Sequence, residues 1–321
     1  MAIELGGVRI DGRVFLAPMA GYTDEPFRKT ARMCGAAYTV SEMLTSQTRL
    51  WKLDKSRSRI AFGSFDIPRA AQLLGNDPEQ IASAALSLAR HGAQVIDFNM
   101  GCPAKKVCAK DAGAALMKDE ALCGRIFERL GKLRLQTGVS LTLKTRLGWD
   151  EERKNVLTLA EMAQENGFCM VAVHARTAFG GFSAPPDWRA VAPVREALEI
   201  PVVINGGIGS PEDLLKALED SKCDAAMIGR AALGAPWVFS DMAAALGEAP
   251  GLMSGKGKKE IFRVHLMEQF SFYPPMQAMV LFKKHLTLYA RRLAGLSAVL
   301  GEALRLSDPG RFKDMLLNAA G

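Results

Sequence analysis

The chain has 321 residues, with 41 lysines and arginines against 34 aspartates and glutamates, a formal net charge of +7. Hydrophobic residues make up 49% and charged residues 23%, which is a globular composition and excludes wholesale disorder. No apolar run reaches the about 20 residues of a membrane span, and the N-terminal MAIELGGVRIDGRVF lacks the apolar region of a signal peptide. The six cysteines include no C-x-x-C pair, so we expect a cytoplasmic protein with neither disulfides nor a metal site.

The positive charge is concentrated at one end. Residues 1–250 hold 30 basic and 29 acidic side chains, whereas residues 251–321 hold 11 and 5. This asymmetry is typical of a segment that binds a polyanion, but a well-solvated helical tail shows it too. On charge alone, the solvated tail is the favoured interpretation.

Eight short apolar runs in the first 230 residues have the character of buried strands. They begin at Val14, Ala37, Arg69, Gln94, Ser140, Met170, Pro201 and Asp224. Helix-like stretches lie between most of them, and two of these open with Asp77 or Ser210 followed by proline, a typical helix start. Near-continuous apolar runs suit parallel strands covered on both faces. The alternation predicts a (β/α)₈ TIM barrel, which takes about 250 residues.

The competing fold is a doubly wound sheet. Such a sheet usually carries a G-x-G-x-x-G turn after its first strand. Here the first strand leads into APMAGYTDEPFR, which has no such fingerprint. The barrel is therefore favoured.

The strand–helix pattern breaks around residues 240–258. The segment GEAPGLMSGKGKKE is rich in glycine and lysine and has no periodicity, so we interpret it as a linker. Segments of helical period then begin at Ile261, Met276, Leu296 and Arg311. We therefore predict a barrel domain over residues 1–245 and a small all-helical domain over residues 246–321.

Polar and glycine residues recur at the ends of the predicted strands. They are Pro18, Met19, Ala20, Gln72, Asn99, Lys144, Arg146, His174, Arg176, Asn205, Gly206, Gly207, Gly229 and Arg230. Burying polar side chains without partners costs several kcal/mol each, so they cannot all belong to the core. Because active sites of these barrels lie at the C-terminal strand ends, we expect one polar pocket there.

Two loops at this end have the features of a phosphate site. They read NGGIGS after strand 7 and IGRAALGAPW after strand 8, the loops that often bind phosphate in this fold. Gly206, Gly207 and Gly229 let the backbone approach a ligand, and Arg230 adds a charged donor. Each glycine alone could be an ordinary turn residue, but the two loops together predict a phosphate site.

Lys144 lies at the end of the apolar strand LTLKTR and needs a negative partner there. A flavin ring, anionic at its N1–C2 edge when reduced, would supply one. Gln72 could then bind the ring edge and His174 the ribityl-phosphate side. A core position is the alternative for His174, but its place at a strand end beside Lys144 favours a ligand.

Cys102 is the most specific chemical candidate. It follows strand 4 in a Gly-Cys-Pro turn, where a cysteine is exposed to a ligand. Cys108 lies in the same loop and is ambiguous. The remaining cysteines are expected to be inert packing residues: Cys34, Cys123, Cys169 and Cys223.

Several segments resemble the signature segments of one family, the tRNA-dihydrouridine synthases. They are LAPMAGYTDEPFR, QLLGNDPE, DFNMGCPAKKV, AGAALM, LKTRLGWD, VHART, VVINGGI and IGRAALGAPW, in family order from about residue 15 to 240. The AKKV after NMGCP is most similar to the bacterial B-type subgroup. The segment KKHLTLY near Lys283 resembles that family's helical domain.

The resemblance implies an FMN-dependent enzyme that reduces the C5–C6 double bond of D-loop uridines in tRNA, with NADPH or NADH as the reductant. It implies that Cys102 protonates C5 after hydride transfer to C6. The residues it implies for FMN are Pro18, Met19, Ala20, Gln72, Lys144, His174, Asn205, Gly206, Gly207, Gly229 and Arg230. Those it implies for the substrate are Asn99 and Arg176, and we predict that the tRNA is also contacted by Lys105, Lys283, Lys284, Arg291 and Arg292. We expect a monomer without a metal, bound to tRNA and not to membranes.

Two stretches are harder to interpret. After HART the sequence reads AFGGFSAPPDW, with Phe182 where the family commonly has tyrosine and Ala184 where glycine is common. The contacts of this loop with the substrate are therefore expected to differ. The basic stretch RLWKLDKSRSR from Arg49 is either a solvated loop or a phosphate-contacting surface.

Two other functions fit parts of the sequence. One is an FMN barrel reductase of a small molecule, similar to dihydroorotate dehydrogenase, in which the basic tail is incidental. The other is a tRNA-binding protein that has lost its active site. The presence of Cys102, Lys144 and both phosphate loops argues against the second.

Overall fold

A computed structural model describes residues 2–52, 59, 61–181 and 183–321. Its strands are β1 (Ala2–Leu5), β2 (Val8–Asp11), β3 (Val14–Leu16), β4 (Tyr38–Thr39), β5 (Leu44–Thr45), β6 (Ala70–Leu74), β7 (Val95–Asn99), β8 (Ser140–Arg146), β9 (Phe168–His174), β10 (Val202–Asn205) and β11 (Ala225–Ile228). Its helices up to the predicted linker are α1 (Glu25–Met33), α2 (Pro78–Arg90), α3 (Lys105–Cys108), α4 (Glu120–Thr137), α5 (Val156–Glu165), α6 (Ala192–Ala197), α7 (Pro211–Ser221) and α8 (Val238–Ala245).

Strands β3 to β11 form one curled parallel sheet in the order β4-β3-β11-β10-β9-β8-β7-β6-β5. The predicted second strand is not continuous, because β4 pairs with β3 and β5 pairs with β6. Between them the backbone N–H of Ser41 donates to the carbonyl of Ala70 at 3.0 Å and closes the sheet. The predicted TIM barrel is thus confirmed, and its second strand is corrected to two short pieces.

A hairpin that the sequence analysis did not predict closes the N-terminal end of the barrel. Strands β1 and β2 pair antiparallel, and the turn glycines Gly6 and Gly7 have positive φ values of 55° and 97°. The side chains of Ile3, Leu5 and Ile10 pack into the barrel interior. The Ser140 hydroxyl donates to the Leu5 carbonyl at 2.6 Å, which fixes the hairpin on the first residue of β8.

The main core lies between the sheet and its surrounding helices. The aromatic rings of Phe98, Phe127 and Phe168 meet edge to face there, with centroids 6.4 and 5.1 Å apart. The predicted helix starts are confirmed, since Asp77 and Ser210 accept backbone N–H groups at the beginnings of α2 and α7. Among the described residues, no helix has the length and apolarity to span a bilayer.

The predicted linker is shorter than expected and is packed against the barrel. Helix α8 continues to Ala245, so the start of the 240–258 segment is helical. Beyond it Met253 is buried, and its N–H donates to the Met33 carbonyl at 2.8 Å. A Cβ on Gly251 would lie 2.3 Å from the Gly35 nitrogen, so the segment packs tightly on the end of α1.

The four predicted C-terminal helices are confirmed. They are α9 (Lys258–Phe272), α10 (Pro275–Tyr289), α11 (Ala294–Arg305) and α12 (Pro309–Ala319). Their own core includes Phe262, Phe282 and Tyr289. Helix α9 also packs along α1 of the barrel, where Lys29 and Glu268 form an ion pair at 2.6 Å.

Candidate active site

A cavity of about 720 Å³ opens at the C-terminal ends of the barrel strands. It lies where the sequence analysis expects the pocket. Every predicted cofactor residue lines it, and so do three of the predicted catalytic and substrate residues. These are Pro18, Met19, Ala20, Gln72, Lys144, His174, Asn205, Gly206, Gly207, Gly229 and Arg230, together with Asn99, Cys102 and Arg176.

A chain of buried hydrogen bonds connects the strand ends to the Cys102 loop. The Gln72 amide donates to Asp97 at 2.7 Å and accepts from the Asn99 amide at 2.8 Å. The Asn99 side-chain oxygen in turn accepts the backbone N–H groups of Gly101 and Cys102, both at 3.0 Å. The Asn99 side chain therefore orients the loop that carries the cysteine.

Asp97 and Lys144 are two buried ionisable groups beneath the cavity. Burial raises the pKa of Asp97 to about 6, although hydrogen bonds from Thr142 and Gln72 favour its charged form. Burial and the nearby Arg146 lower the pKa of Lys144 to about 7, with Asp97 acting in the opposite direction. An anionic ligand beside Lys144 would stabilise its ammonium form.

Three arginines and Lys144 surround His174. Burial lowers the pKa of His174, and the charges of Lys144, Arg146, Arg176 and Arg230 lower it further, so the imidazole is neutral. Its Nε2 lies 3.0 Å from Nη1 of Arg176. Because a guanidinium only donates, Nε2 accepts and the ring proton sits on Nδ1. Such a concentration of cations at one mouth favours an anionic ligand.

The loop after β10 is shaped by glycine. Gly206 has a φ of +106°, and a Cβ there would lie 2.5 Å from Cδ2 of His174. The indole N–H of Trp188 donates to the Gly206 carbonyl at 2.8 Å and holds the loop. Gly229 begins a 3₁₀ turn, Arg230–Ala232, across the same cavity. Both loops thus present backbone to the cavity, as the sequence predicts.

Cys102 lies half-buried at the edge of this cavity. Burial raises the pKa of its thiol above the ordinary value. The Cys102 carbonyl accepts the Ala114 N–H at 3.0 Å and the Cys108 thiol at 3.5 Å. The surroundings therefore keep the Cys102 thiol protonated at neutral pH, which is the form that can donate a proton.

A family model described as "Dihydrouridine synthase (Dus)" matches residues 15–320. The chain belongs to this family. It is 40% identical over 308 residues to a Pseudomonas aeruginosa protein named tRNA-dihydrouridine synthase B, covering 95% of this chain and 92% of the relative. It is 39% identical over 323 residues to a Rhodobacter capsulatus protein named probable tRNA-dihydrouridine synthase, covering 99% and 98%. The predicted membership and the B-type resemblance are confirmed.

Solved structures agree on the fold of this dihydrouridine synthase family member. A morphinone reductase variant in complex with tetrahydroNAD superposes with a TM-score of 0.54 at 12% identity, covering 78% of this chain and 91% of that one. At this identity the likeness concerns the fold alone. It agrees with the barrel built from β3 to β11.

The predicted tRNA-contacting residues of this family member differ in their exposure. Lys105 is exposed at the start of α3, and Arg291 and Arg292 are exposed after α10. The Lys283 ammonium instead donates to the carbonyls of Leu304 and Leu306, at 3.0 and 2.8 Å. The sequence analysis could not foresee that Lys283 caps the end of α11, because the two segments are joined only in the fold.

Lys284 is directed toward the barrel of the family member. It is half-buried, with its Nζ 5.3 Å from the ring centroid of Tyr22, which lines the cavity. Burial lowers the pKa of Lys284, while Asp24 and Glu42 act in the opposite direction. This lysine therefore connects the C-terminal helices to the mouth of the barrel.

The sequence analysis gave no role to several cavity residues of this dihydrouridine synthase family member. Tyr22, in the loop after β3, and Met43, at the end of the predicted second strand, both line the cavity. Arg146 was placed in the predicted polar pocket without a function there. Its guanidinium donates to the carbonyls of Gly101, Thr177 and Gly181 at 2.8, 3.0 and 3.1 Å. It thus fixes the Cys102 loop to the loop after β9.

The two stretches that were hard to interpret are only partly described. Phe182, and Lys55 and Arg57 of the basic stretch, lie outside the described residues. The Ala184 carbonyl accepts the Arg176 Nε–H at 2.5 Å. Trp51 is buried, with its indole N–H donating to Thr45 at 2.8 Å. Trp51 is therefore a packing residue and not an exposed stacking surface.

Proposed function

We propose that this chain is an FMN-dependent tRNA-dihydrouridine synthase, an oxidoreductase that converts D-loop uridines to 5,6-dihydrouridine with NADPH or NADH as the reductant. The observation that carries the proposal is the protonated Cys102 thiol at the edge of a cationic cavity in a member of this family. Relatives across more than nine-tenths of the chain are named for this activity.

The residues around the cavity fit FMN. Its volume of about 720 Å³ is within the range of small-molecule sites, about 300–1,000 Å³. Gly206, Gly207 and Gly229 leave room for a phosphate against the backbone, and Arg230 and Arg176 provide positive charge. Lys144 provides a buried cation for the ring edge. When bound, FMN supplies the hydride that uracil C6 receives.

Cys102 supplies the matching proton. In the proposed reaction its S–H bond breaks as C5 of uracil takes the proton, which completes the reduction of the double bond. The Asn99 side-chain oxygen accepts the N–H groups of Gly101 and Cys102, and Arg146 donates to the Gly101 carbonyl, which holds the cysteine loop in place for this step. We therefore assign Asn99 to positioning Cys102, in addition to the contact with uracil that the resemblance implies.

The substrate base has to leave the tRNA stack to reach Cys102. Such flipping costs a few kcal/mol, which contacts between basic residues and phosphates can offset. We propose that Lys105 at the rim and Arg291 and Arg292 on the C-terminal helices make these contacts. In this proposal residues 1–245 are the catalytic domain, residues 246–321 are the tRNA-binding domain, and the protein acts as a monomer in the cytoplasm.

Two observations test the proposed function. The purified protein should carry or take up FMN and show flavin absorbance, and a colourless protein that cannot bind FMN would contradict it. In cells that lack the gene, tRNA should lose dihydrouridine at one or more D-loop positions. If the protein is instead a reductase of a small molecule such as a free pyrimidine, the tRNA will be unchanged and the protein will reduce that pyrimidine with NADPH.

A further inference from the structure

Three ionisable side chains meet in the interior, where the C-terminal helices pack on the barrel. Asp24 precedes α1, His265 lies on α9 and His285 lies on α10. The carboxylate oxygen and the two ring nitrogens all lie within 4.8 Å of one another. Asp24 is 6% exposed and both histidines are 0% exposed, so this group is shielded from water. It lies outside the lining of the active-site cavity.

Four polar atoms in and beside this group have no hydrogen-bond partner among the described residues. Within the described part of the chain, Nε2 of His265, both ring nitrogens of His285 and Oε1 of Gln269 are buried without a hydrogen bond. Gln269 is on α9 as well, and its amide nitrogen lies 3.4 Å from the Asp24 carboxylate. Buried polar atoms without partners are rare in folded proteins, and an ion or an ordered water usually accounts for them.

Neighbouring contacts hold the three side chains in place. The Nδ1 of His265 lies 3.1 Å from the hydroxyl of Tyr289, which leaves Nε2 as the His265 nitrogen without a partner among the described residues. Phe27 stacks on His285 with the ring planes at 27°. The Asp24 carboxylate caps α1 by accepting the Phe27 N–H at 3.3 Å. Metal-bound histidines are typically held in this way by a hydrogen bond at the second ring nitrogen.

The charge balance of the group favours a cation. Its acid, Asp24, is buried, and the charges of Glu42 and Lys284 both act on it. Within the described residues, the two imidazoles add three buried ring nitrogens that make no hydrogen bond. A divalent cation at the centre would stabilise the carboxylate and use the unpaired nitrogens.

We propose that Asp24, His265 and His285 bind a divalent transition-metal ion, with the side-chain oxygen of Gln269 as the fourth ligand. Two imidazoles with a carboxylate and an amide oxygen are a nitrogen–oxygen set that suits Zn²⁺, which takes four ligands at about 2.0–2.2 Å. The donor atoms lie within 4.8 Å of one another, and rotation of the side chains would bring each of them to about 2.0–2.2 Å from the metal ion. No sequence motif indicates this site, because its residues come from distant segments of the chain. The proposal therefore differs from our expectation of a protein without a metal.

The ion would join the two parts of the molecule. It would tie the start of α1 to α9 and α10, and so fix the C-terminal helices on the barrel. His285 also meets the ring of Tyr22 edge to face at 5.5 Å, and Tyr22 lines the cavity. The metal site is thus structural and lies next to the mouth of the active site.

The test measures metal in the purified full-length protein, independently of its activity. The protein is incubated with Zn²⁺, dialysed against metal-free buffer and analysed by inductively coupled plasma mass spectrometry. We expect about one Zn²⁺ per chain. Asp24→Asn keeps the helix cap but removes the charge, and His285→Phe keeps the ring packing, so both should fold and lose the metal. His91→Gln changes an exposed histidine and should keep it.

Crystals of the wild-type protein give a readout that needs no variant. Anomalous scattering at the zinc edge should give a peak between Asp24, His265 and His285. Absence of the peak after Zn²⁺ incubation would overturn the proposal, as would a water refined at that position. Metal content that is equal in wild type and Asp24→Asn, or lost in His91→Gln, would show surface binding and equally contradict it. None of these outcomes bears on FMN binding or tRNA reduction.

Discussion

The protonation of Cys102 is set by its surroundings. Burial raises the pKa of the thiol, and the backbone around it is held by Asn99 on one side and Ala114 on the other. In a cysteine that acts as a nucleophile, the surroundings instead lower the pKa of the thiol. The raised pKa of the Cys102 thiol therefore suits a proton donor.

Replacing Cys102 tests this role. Cys102→Ala should keep FMN binding and lower the single-turnover rate of tRNA reduction by about 10²–10⁴-fold, the usual contribution of a general acid. Cys108→Ala is the matched control, because it removes a thiol from the same loop and keeps the Cys102 thiol, at the cost of one weak hydrogen bond to the Cys102 carbonyl. Equal rates in wild type and Cys102→Ala would contradict the assignment.

Lys144 predicts a pH dependence of flavin binding. With its pKa lowered to about 7, the lysine is charged below that pH and becomes neutral above it. Binding that requires the ammonium should therefore weaken as pH rises through 7, by up to about tenfold per pH unit. Fluorescence titration with FMN from pH 6 to 9 measures this. In Lys144→Met the affinity should be lower and its pH dependence flatter, and an unchanged slope would argue against the contact.

Residue types and positions allowed much of the site to be predicted. Polar residues at the ends of apolar strands identified Gln72, Lys144 and His174, because such residues cannot be core. Asp97 was not recognised, although it is an acid within the apolar run QVIDFN. Its role depends on hydrogen bonds to Thr142 and Gln72 from neighbouring strands, and a single sequence does not report which side chains face each other.

At the scale of elements, the glycine loop after β10 decides the shape of the cavity. Gly206 combines a left-handed backbone with close contact to His174. Gly206→Ala should therefore displace His174 and weaken FMN binding at least about tenfold, with a modest loss of stability. Isothermal titration calorimetry with FMN measures the first effect and thermal unfolding the second.

Gly7, in the N-terminal hairpin, offers a control for this substitution. It has a similar positive φ, of +97°, but a Cβ there has no neighbour within 4 Å. Gly7→Ala should cost similar backbone strain and leave FMN affinity unchanged. If both variants bind FMN equally, the contact between Gly206 and His174 does not shape the site.

The alternation of strands and helices predicted the barrel strands and the C-terminal helices, but it missed the N-terminal hairpin. Even the three-residue strand β3 was found, because its apolar run fits the repeating strand–helix order. The hairpin of β1 and β2 has four residues per strand, and its stability comes from packing into the barrel. The break between β4 and β5 follows from barrel closure, which is a long-range property.

At the scale of the whole molecule, the surplus charge of residues 251–321 is divided between two uses. Lys283 and Lys284 face the protein, whereas Arg291 and Arg292 face solvent. The sequence places all four on one stretch, and only the fold separates them. The basic tail is thus partly a structural feature and partly a candidate tRNA surface.

The two pairs should respond differently to substitution. Changing Arg291 and Arg292 to methionine should weaken tRNA binding and reduce the slope of log affinity against log salt by up to about 2, with unchanged stability. Lys283→Met should lower the free energy of unfolding by about 1–2 kcal/mol, because two carbonyls lose their donor, and leave the salt slope unchanged. Filter binding at several salt concentrations measures the effect on tRNA affinity, and urea unfolding measures the effect on stability. A salt slope that falls in Lys283→Met and not in the double arginine variant would contradict this assignment of the basic residues.

The most direct measurement of the central claim is dihydrouridine formed on unmodified tRNA. The purified protein is incubated with FMN, NADPH and the transcript, and the digested RNA is analysed by mass spectrometry. We predict a gain of about 2 Da at a D-loop uridine, corresponding to the hydride and proton added at C6 and C5, which is lost in Cys102→Ala. Absence of dihydrouridine with flavin-loaded wild-type protein, alongside turnover of a free pyrimidine, would contradict the account.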